Sequence, residues 1–477
     1  MKRPRGAGLL DCLGLCGALL VAWAAFPAAA SAHGIVGRTD LPIPEWLFAW
    51  AAAFALIASF VALAILWPRP RLQQHATHRM FTFPAWIEPL AGAVGVALFV
   101  LVVYSGVVGA QVPTANLAPT FVFALFWVGF PVASVLFGDV FRPLNPWRAL
   151  ARAIGWALHR ISGGRARPLL RYPEWLGVWP AVATLIGFAW LELVYVDRDY
   201  PRTLVLIACA YGGFQLIAMA TFGVERWTER ADGFSVYFRL MSRLSIVEVQ
   251  DRTVCRRPPL SGLPGLELLP GTVALLCTII GTTTFDGASN GVLWINTAPS
   301  LIEFFNHLGF SVTVASELAG SVGLAVCVLA IVSFYWLGIW GIRSVSDQFE
   351  VEDLARRFAH TLAPIAFAYI LAHYFSLLVY QGQAVVYLIS DPLGNGANYL
   401  GTSGFQIDYA IVTATVIWYV QVVALITGHV SGLTLAHDRA LSIYRNPREA
   451  VRSQYWMLVI MVGFTCLGLW LLSAVAV

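Results

Sequence analysis

His373 stands in the apolar run Leu371-Ala372-His373-Tyr374-Phe375-Ser376, and an ionisable side chain inside such a run is a candidate for chemistry by default. Glu303 and His307 lie at i and i+4 in Ile302-Glu303-Phe304-Phe305-Asn306-His307. On a helix they share a face, so a carboxylate and an imidazole meet one ligand. That pairing is the usual composition of a hydrolytic divalent metal site, with copper or zinc as the expected ion. Asp286 opens the same loop, directly after Thr282-Thr283-Thr284-Phe285. His33 follows Ala30-Ser31-Ala32; freed as an amino terminus, it would offer its α-amine and its Nδ1 to the same ion, a donor pair suited to copper. The expected site therefore uses His373, Glu303 and Asp286 as catalytic groups, and His33, His307, His373 and Glu303 as metal ligands.

A weaker set lies elsewhere. His429 and His437 are eight residues apart, about 80° around a helix. With His360 and Asp438 they could hold a metal, or two of them a b-type haem. The favoured reading of these three histidines is plainer: helix-end residues bonded to free carbonyls and lipid phosphates.

The elements that must position these residues are membrane helices. The chain has 477 residues, 58% of them hydrophobic and only 12% charged, with a mean hydropathy of +0.72. Soluble domains carry about 25% charged residues, so a water-exposed surface cannot be covered. Lys2, Arg3 and Arg5 precede an apolar stretch ending at Ala30-Ser31-Ala32, the pattern of a cleaved signal peptide over 1–32. Residues 33–477 then form a single all-α membrane domain with about ten spans, near 47–67, 89–110, 119–138, 175–196, 203–222, 267–285, 317–341, 358–380, 409–431 and 455–476. Loops on one side hold 24 arginines; loops on the other hold only Arg38, Arg198 and Arg202. The positive-inside rule makes the first side cytoplasmic and places both mature ends outside. His373 is about 20 Å from His360 along the eighth span, within reach of the outer loop 286–316.

The inner loops 142–174 and 223–262 read as amphipathic, arginine-rich interfacial anchors. Asp139 and Arg142 are expected to pair there. Outside, Glu192, Asp286, Glu317 and Asp408 converge on an arginine-poor boundary, a cation-binding vestibule in outline. The outer loops 286–316 and 381–408 hold no Lys or Arg and read as lids or re-entrant elements. The scattered arginines give no support to nucleic-acid binding. No CxxC, Walker A loop, Rossmann glycine pattern or HExxH occurs, which leaves an ATPase and a zincin unsupported.

Five segments carry a family resemblance. They are Ala32-His33-Gly34-Ile35-Val36-Gly37-Arg38 with Leu41-Pro42-Ile43-Pro44; Gly138-Asp139-Val140-Phe141-Arg142-Pro143-Leu144-Asn145-Pro146-Trp147; Phe285-Asp286-Gly287; Ala372-His373-Tyr374-Phe375-Ser376; and Gly428-His429-Val430 through Ala436-His437-Asp438-Arg439-Ala440. The chain resembles the bacterial integral-membrane fenitrothion hydrolases over nearly its whole mature length. The resemblance implies hydrolysis of an apolar organophosphorus triester at its P–O–aryl bond, in the bacterial inner membrane, with a second membrane subunit as a partner. It brings no residue assignments. Two other classes compete: a copper or transition-metal handling protein using His33 and His373, and a haem- or quinone-linked redox protein using the level of His360 and His429.

Overall fold

The computed structural model describes residues 45–73, 76–162 and 168–473. The expected signal peptide, the expected new amino terminus at His33 and the loop residue His75 lie outside the described residues. Among those described, nine helical segments are long and apolar enough to cross a membrane. They comprise α1 (Glu45–Leu66), α2 (Ile87–Val108), α3 (the helical rod Leu117–Phe137), the segment from Glu174 that contains α5 (Trp179–Leu193), α6 (Pro201–Phe222), α11 (Val312–Arg343), the segment containing α13 (Leu362–Gln381), α14 (Ala414–Ile443) and the segment containing α16 (Tyr455–Ser473). Large apolar side chains such as Phe54, Ile65, Ile217 and Leu329 stand exposed on their outer faces, as lipid requires and water does not.

The tenth expected span is α9 (Thr272–Ser289). It falls outside the nine because three threonines and an aspartate lower the mean hydropathy of an otherwise apolar helix. It packs against α5, α11 and α13, and twelve of its residues are buried. A helix surrounded by protein has no need of a uniformly apolar surface, so α9 tolerates three consecutive threonines and an aspartate. Close approach is enforced by glycine. A Cβ on Gly281 would come within 2.6 Å of the Val328 Cα of α11, and one on Gly428 of α14 within 2.2 Å of the Ala368 side chain of α13.

The remaining elements gather at the two ends of the bundle. At the arginine-rich end are the amphipathic α4 (Pro146–Ser162), α7 (Val224–Arg230) and α8 (Gly233–Ser242), followed by α12 (Val351–Phe358) and α15 (Pro447–Ser453). β1 (His78–Thr82), β2 (Val247–Gln250) and β3 (Thr253–Arg256) form a small antiparallel sheet in the order β1-β3-β2. Asp251 and Arg252, both at positive φ, make the two-residue turn between β2 and β3, a geometry matched to strand twist. α10 (Val292–His307) lies at the arginine-poor end against α11, a longer helix than Ile302–His307 alone suggested. Segment 381–413 is folded down at that end. The Tyr387 hydroxyl donates to the Thr114 carbonyl at 3.0 Å, and the Ala110 amide to the Leu393 carbonyl at 2.7 Å.

The loop 223–262 differs from the interfacial anchor expected of it. Nine of the ten residues of α8 are buried. Phe234 and Phe238 lock into an aromatic cluster with Phe126 of α3, ring centroids 4.8 and 5.2 Å apart. Arginines at this end also do more than mark topology. Arg148, its side chain 5% exposed, joins Glu88 of α2 at 2.9 Å and Glu225 of α7 at 3.0 Å, and buried Arg230 joins Glu174 and Glu267. Asp139 meets Arg142 only through the latter's backbone amide, at 3.2 Å; the Arg142 guanidinium turns to Glu225. Burial pushes the Asp139 carboxyl above its ordinary pKa, against the pull of Arg239.

Candidate functional site

α9 delivers Asp286 to the arginine-poor end on its last turn. The Asp286 backbone is fixed there, because the Ser289 hydroxyl donates to its carbonyl at 2.8 Å and the Asn290 amide donates at 3.2 Å. These are the partners that a free C-terminal carbonyl needs. α13 passes alongside and supplies His373 and Tyr374. His373 Nε2 and Asp286 Oδ2 are 2.9 Å apart, with 21% and 17% of the two side chains exposed. A carboxylate accepts, so Nε2 carries the proton of this bond in a neutral ring, and Nδ1 is left with the lone pair. Nδ1 faces Gly287: a Cβ there would stand 3.7 Å from it. A methyl group there would be in ordinary contact with the ring, so glycine keeps this face of His373 free of a side chain.

Two further groups complete the cluster. The Tyr374 hydroxyl faces the Asp286 carboxylate, and the Tyr374 ring meets that of His373 edge-on at 4.7 Å. Glu192, near the end of α5, interacts electrostatically with Asp286, and its Oε2 is buried with no hydrogen-bond partner. An unpaired buried carboxylate oxygen is costly, and a proton or a cation relieves the cost. Arg198, beyond α5, is the cation whose charge reaches both carboxylates. α3 brings Trp127 beside Tyr374 from a ten-residue π-helical stretch, Thr120–Gly129. Such wide turns are rare and frequent at functional sites.

The structure thus brings together Asp286 and His373 and leaves Glu303 and His307 apart from them. Both of the latter are exposed on α10, and among the described residues no hydrogen bond or ion pair joins either to the dyad. The i, i+4 spacing does place them on one helix, but an amphipathic helix turns its charged face away from the bundle. Glu317 and Asp408 are taken up locally, Glu317 accepting from the Val196 amide at 3.3 Å and Asp408 from the Ala410 amide at 2.8 Å. Of the four acids expected to converge, only Glu192 and Asp286 do.

A zinc or copper site of the expected kind takes three or four protein ligands. Among the described residues no three His, Cys, Asp or Glu side chains are grouped to hold one. Of the expected quartet, His33 lies outside the described residues, and Glu303 and His307 make no contact with His373 among them. The alternative trio also fails to assemble. Both ring nitrogens of His437 are engaged, with Gln454 Oε1 at 3.1 Å and the Trp67 carbonyl at 3.0 Å. His360 and His429 are fully buried.

Sequence reasoning missed Tyr374, Gly287 and Trp127 as parts of the site. A signal existed for the first two, since each is the immediate neighbour of a chosen residue. None existed for Trp127, whose position depends on the π-helical register. The sequence matches no family model, and comparison with curated proteins and with solved structures finds no similar chain.

Proposed function

We propose that this chain is a membrane-embedded hydrolase of apolar organophosphorus triesters, with His373 as general base and Asp286 as the group that orients it. The observation that carries the proposal is the partly exposed His373–Asp286 contact of 2.9 Å. A histidine whose one nitrogen is held by a carboxylate, with the other free, is the working half of many hydrolytic sites. The substrate class comes from the resemblance to fenitrothion hydrolases. It agrees with the surroundings, because an aryl phosphotriester partitions into hydrocarbon and reaches such a site through lipid.

In the reaction, a water beside Gly287 gives its proton to His373 Nδ1 as its oxygen attacks phosphorus. The P–O–aryl bond breaks, and the aryloxide leaves with the electron pair. Asp286 stabilises the imidazolium across Nε2. The proton on Nδ1 then passes to solvent or to the aryloxide, restoring the neutral ring. A nitrophenolate leaves without acid assistance. Tyr374 holds the carboxylate in place. No step is routed through a metal, since among the described residues no three His, Cys, Asp or Glu side chains are grouped at the dyad.

The same reading places the arginine-rich end in the cytoplasm of a bacterial inner membrane. The dyad and the mature amino terminus, after loss of 1–32, then lie on the extracytoplasmic side, and a second membrane subunit is a candidate partner. The test is nitrophenolate release from a dialkyl nitrophenyl phosphate by the purified chain in lipid nanodiscs. Turnover should rise with pH as the imidazole gives up its proton, and should be lost in His373→Ala and strongly reduced in Asp286→Asn. A wild-type rate no higher than that of empty nanodiscs would end the proposal.

A further inference from the structure

Toward the middle of the bundle α9, α11, α13, α14 and α16 enclose a cavity of about 30 Å³. It is lined by His429, Met457 and Met461 together with Tyr335, Thr361 and aliphatic and phenyl side chains. His429 is 0% exposed. Its Nδ1 stands 2.8 Å from the Leu425 carbonyl. A carbonyl only accepts, so Nδ1 carries hydrogen, and Nε2 in the neutral ring presents a lone pair. That Nε2 is buried with no hydrogen-bond partner.

Met457 and Met461 are four residues apart on α16 and so share a face. Met457 is 5% and Met461 3% exposed. The Met461 methyl lies 3.0 Å from where a Gly432 Cβ would be, and Gly432 is three residues along α14 from His429. The two hydroxyls on the wall donate elsewhere: Tyr335 to the Ala355 carbonyl at 2.6 Å and Thr361 to the Phe358 carbonyl at 2.7 Å.

We propose that this cavity is a buried site for one Cu(I) ion, ligated by His429 Nε2 and the thioethers of Met457 and Met461. Softness and charge make the choice of ion. Thioether sulfur selects Cu(I) among the biological metals, and imidazole accepts it too. No carboxylate or thiolate lines the cavity. A divalent ion would bring two uncompensated charges into hydrocarbon, whereas Cu(I) brings one, spread over polarisable ligands. The volume also admits a water, which would donate to His429 Nε2 and to a hydroxyl oxygen on the wall; uptake of Cu(I) distinguishes the two occupants. The site is separate from the His373–Asp286 dyad and independent of the hydrolase reading.

The test is an anaerobic titration of the full-length chain in detergent with Cu(I), against a chromophoric Cu(I) chelator. It is run in a His33→Ala background so that a terminal histidine adds nothing. One equivalent of Cu(I) should be taken from the chelator, with sulfur and nitrogen scatterers in the X-ray absorption spectrum. Met457→Leu/Met461→Leu keeps the side-chain volumes and so the fold. It should weaken binding by at least about tenfold, the least that loss of a supporting group costs a metal site. His429→Ala should do the same. Failure to compete for Cu(I), or uptake unchanged in the double methionine variant, would overturn the proposal. Turnover of the nitrophenyl triester should be the same with and without the methionines, which keeps this outcome distinct from that of the dyad.

Discussion

Two histidine–carboxylate groups lie at opposite ends of the bundle and differ in how far their polar atoms are satisfied. At the arginine-rich end Asp438 is fully buried. It accepts from Trp67 Nε1 at 3.0 Å, the Arg71 amide at 2.5 Å, the Leu72 amide at 3.2 Å and Gln73 Nε2 at 2.8 Å. His437 beside it uses both nitrogens. Asp438 and His437 Nε2 hold segment 67–73 against α14, and His437 Nδ1 is taken up by Gln454. At the other end His373 and Asp286 share one bond, keep part of their surface open and have Glu192 Oε2 unpaired beside them. A saturated cluster rigidifies a fold; an unsaturated one has something left to offer a reactant. The difference teaches that residue type and depth alone do not identify a site, since both groups have the same composition.

Breaking the saturated group should have the largest effect, and on folding. Asp438→Ala strands two backbone amides, an indole and a carboxamide, each at a cost of about 1–3 kcal/mol. We expect a loss of at least about 3 kcal/mol, against a typical total stability of about 5–15 kcal/mol. It would be read as a collapse in yield and melting temperature, with turnover per folded molecule retained. A melting curve like that of the wild type would erase the contrast.

The reverse pattern is expected of His373→Ala. Turnover should fall by about 10²–10⁴, the usual contribution of a general base, while the melting temperature changes little. Normal triester turnover in this variant would remove the dyad from the chemistry.

Gly287→Ala sharpens the comparison more finely. Its Cβ would make an ordinary contact at 3.7 Å from His373 Nδ1, and alanine favours the helix. Stability should hold or rise. Turnover should drop by about tenfold or more, because small misplacements of a reactant are expensive. If turnover is undiminished, Nδ1 is not the reactive face.

The smallest effects belong to Glu303→Gln and His307→Ala. Exposed side chains without partners alter stability by about 0.5 kcal/mol or less, and turnover should stay within that margin. A large loss of activity in either would restore α10 to the site.

These cases show what the sequence made legible. Spans and their alternation could be read from apolar length and from arginine, because lipid imposes both. His373 and Asp286 could be chosen because each is a titratable group in an apolar run. Their pairing could not be read, because it depends on the packing of α9 against α13. Glu303 and His307 misled because helical periodicity fixes a shared face without saying whether that face meets protein or solvent. α8 misled in the opposite sense: its arginine suggested an interface, while Phe234, Tyr237 and Phe238 bury the helix. The β2–β3 turn had no Asn-Gly or Asp-Gly signature, and Asp251-Arg252 adopts positive φ without one.

The composition of α9 has a consequence for how the protein is made. The outer half of α9 carries Thr282, Thr283, Thr284 and Asp286; each threonine hydroxyl is returned to its own backbone, at 3.2, 3.0 and 2.8 Å from the carbonyls of Ile279, Ile279 and Ile280, which leaves Asp286 as the group that lipid receives poorly. As the nascent chain leaves the ribosome, α9 follows α5 but precedes α11 and α13, which complete its cover. Its residence in the bilayer therefore has to wait for theirs, with the insertion machinery sheltering it meanwhile. Asp286 would then meet His373 only when the eighth span arrives, so that biogenesis itself keeps the dyad unassembled until the bundle around it has closed.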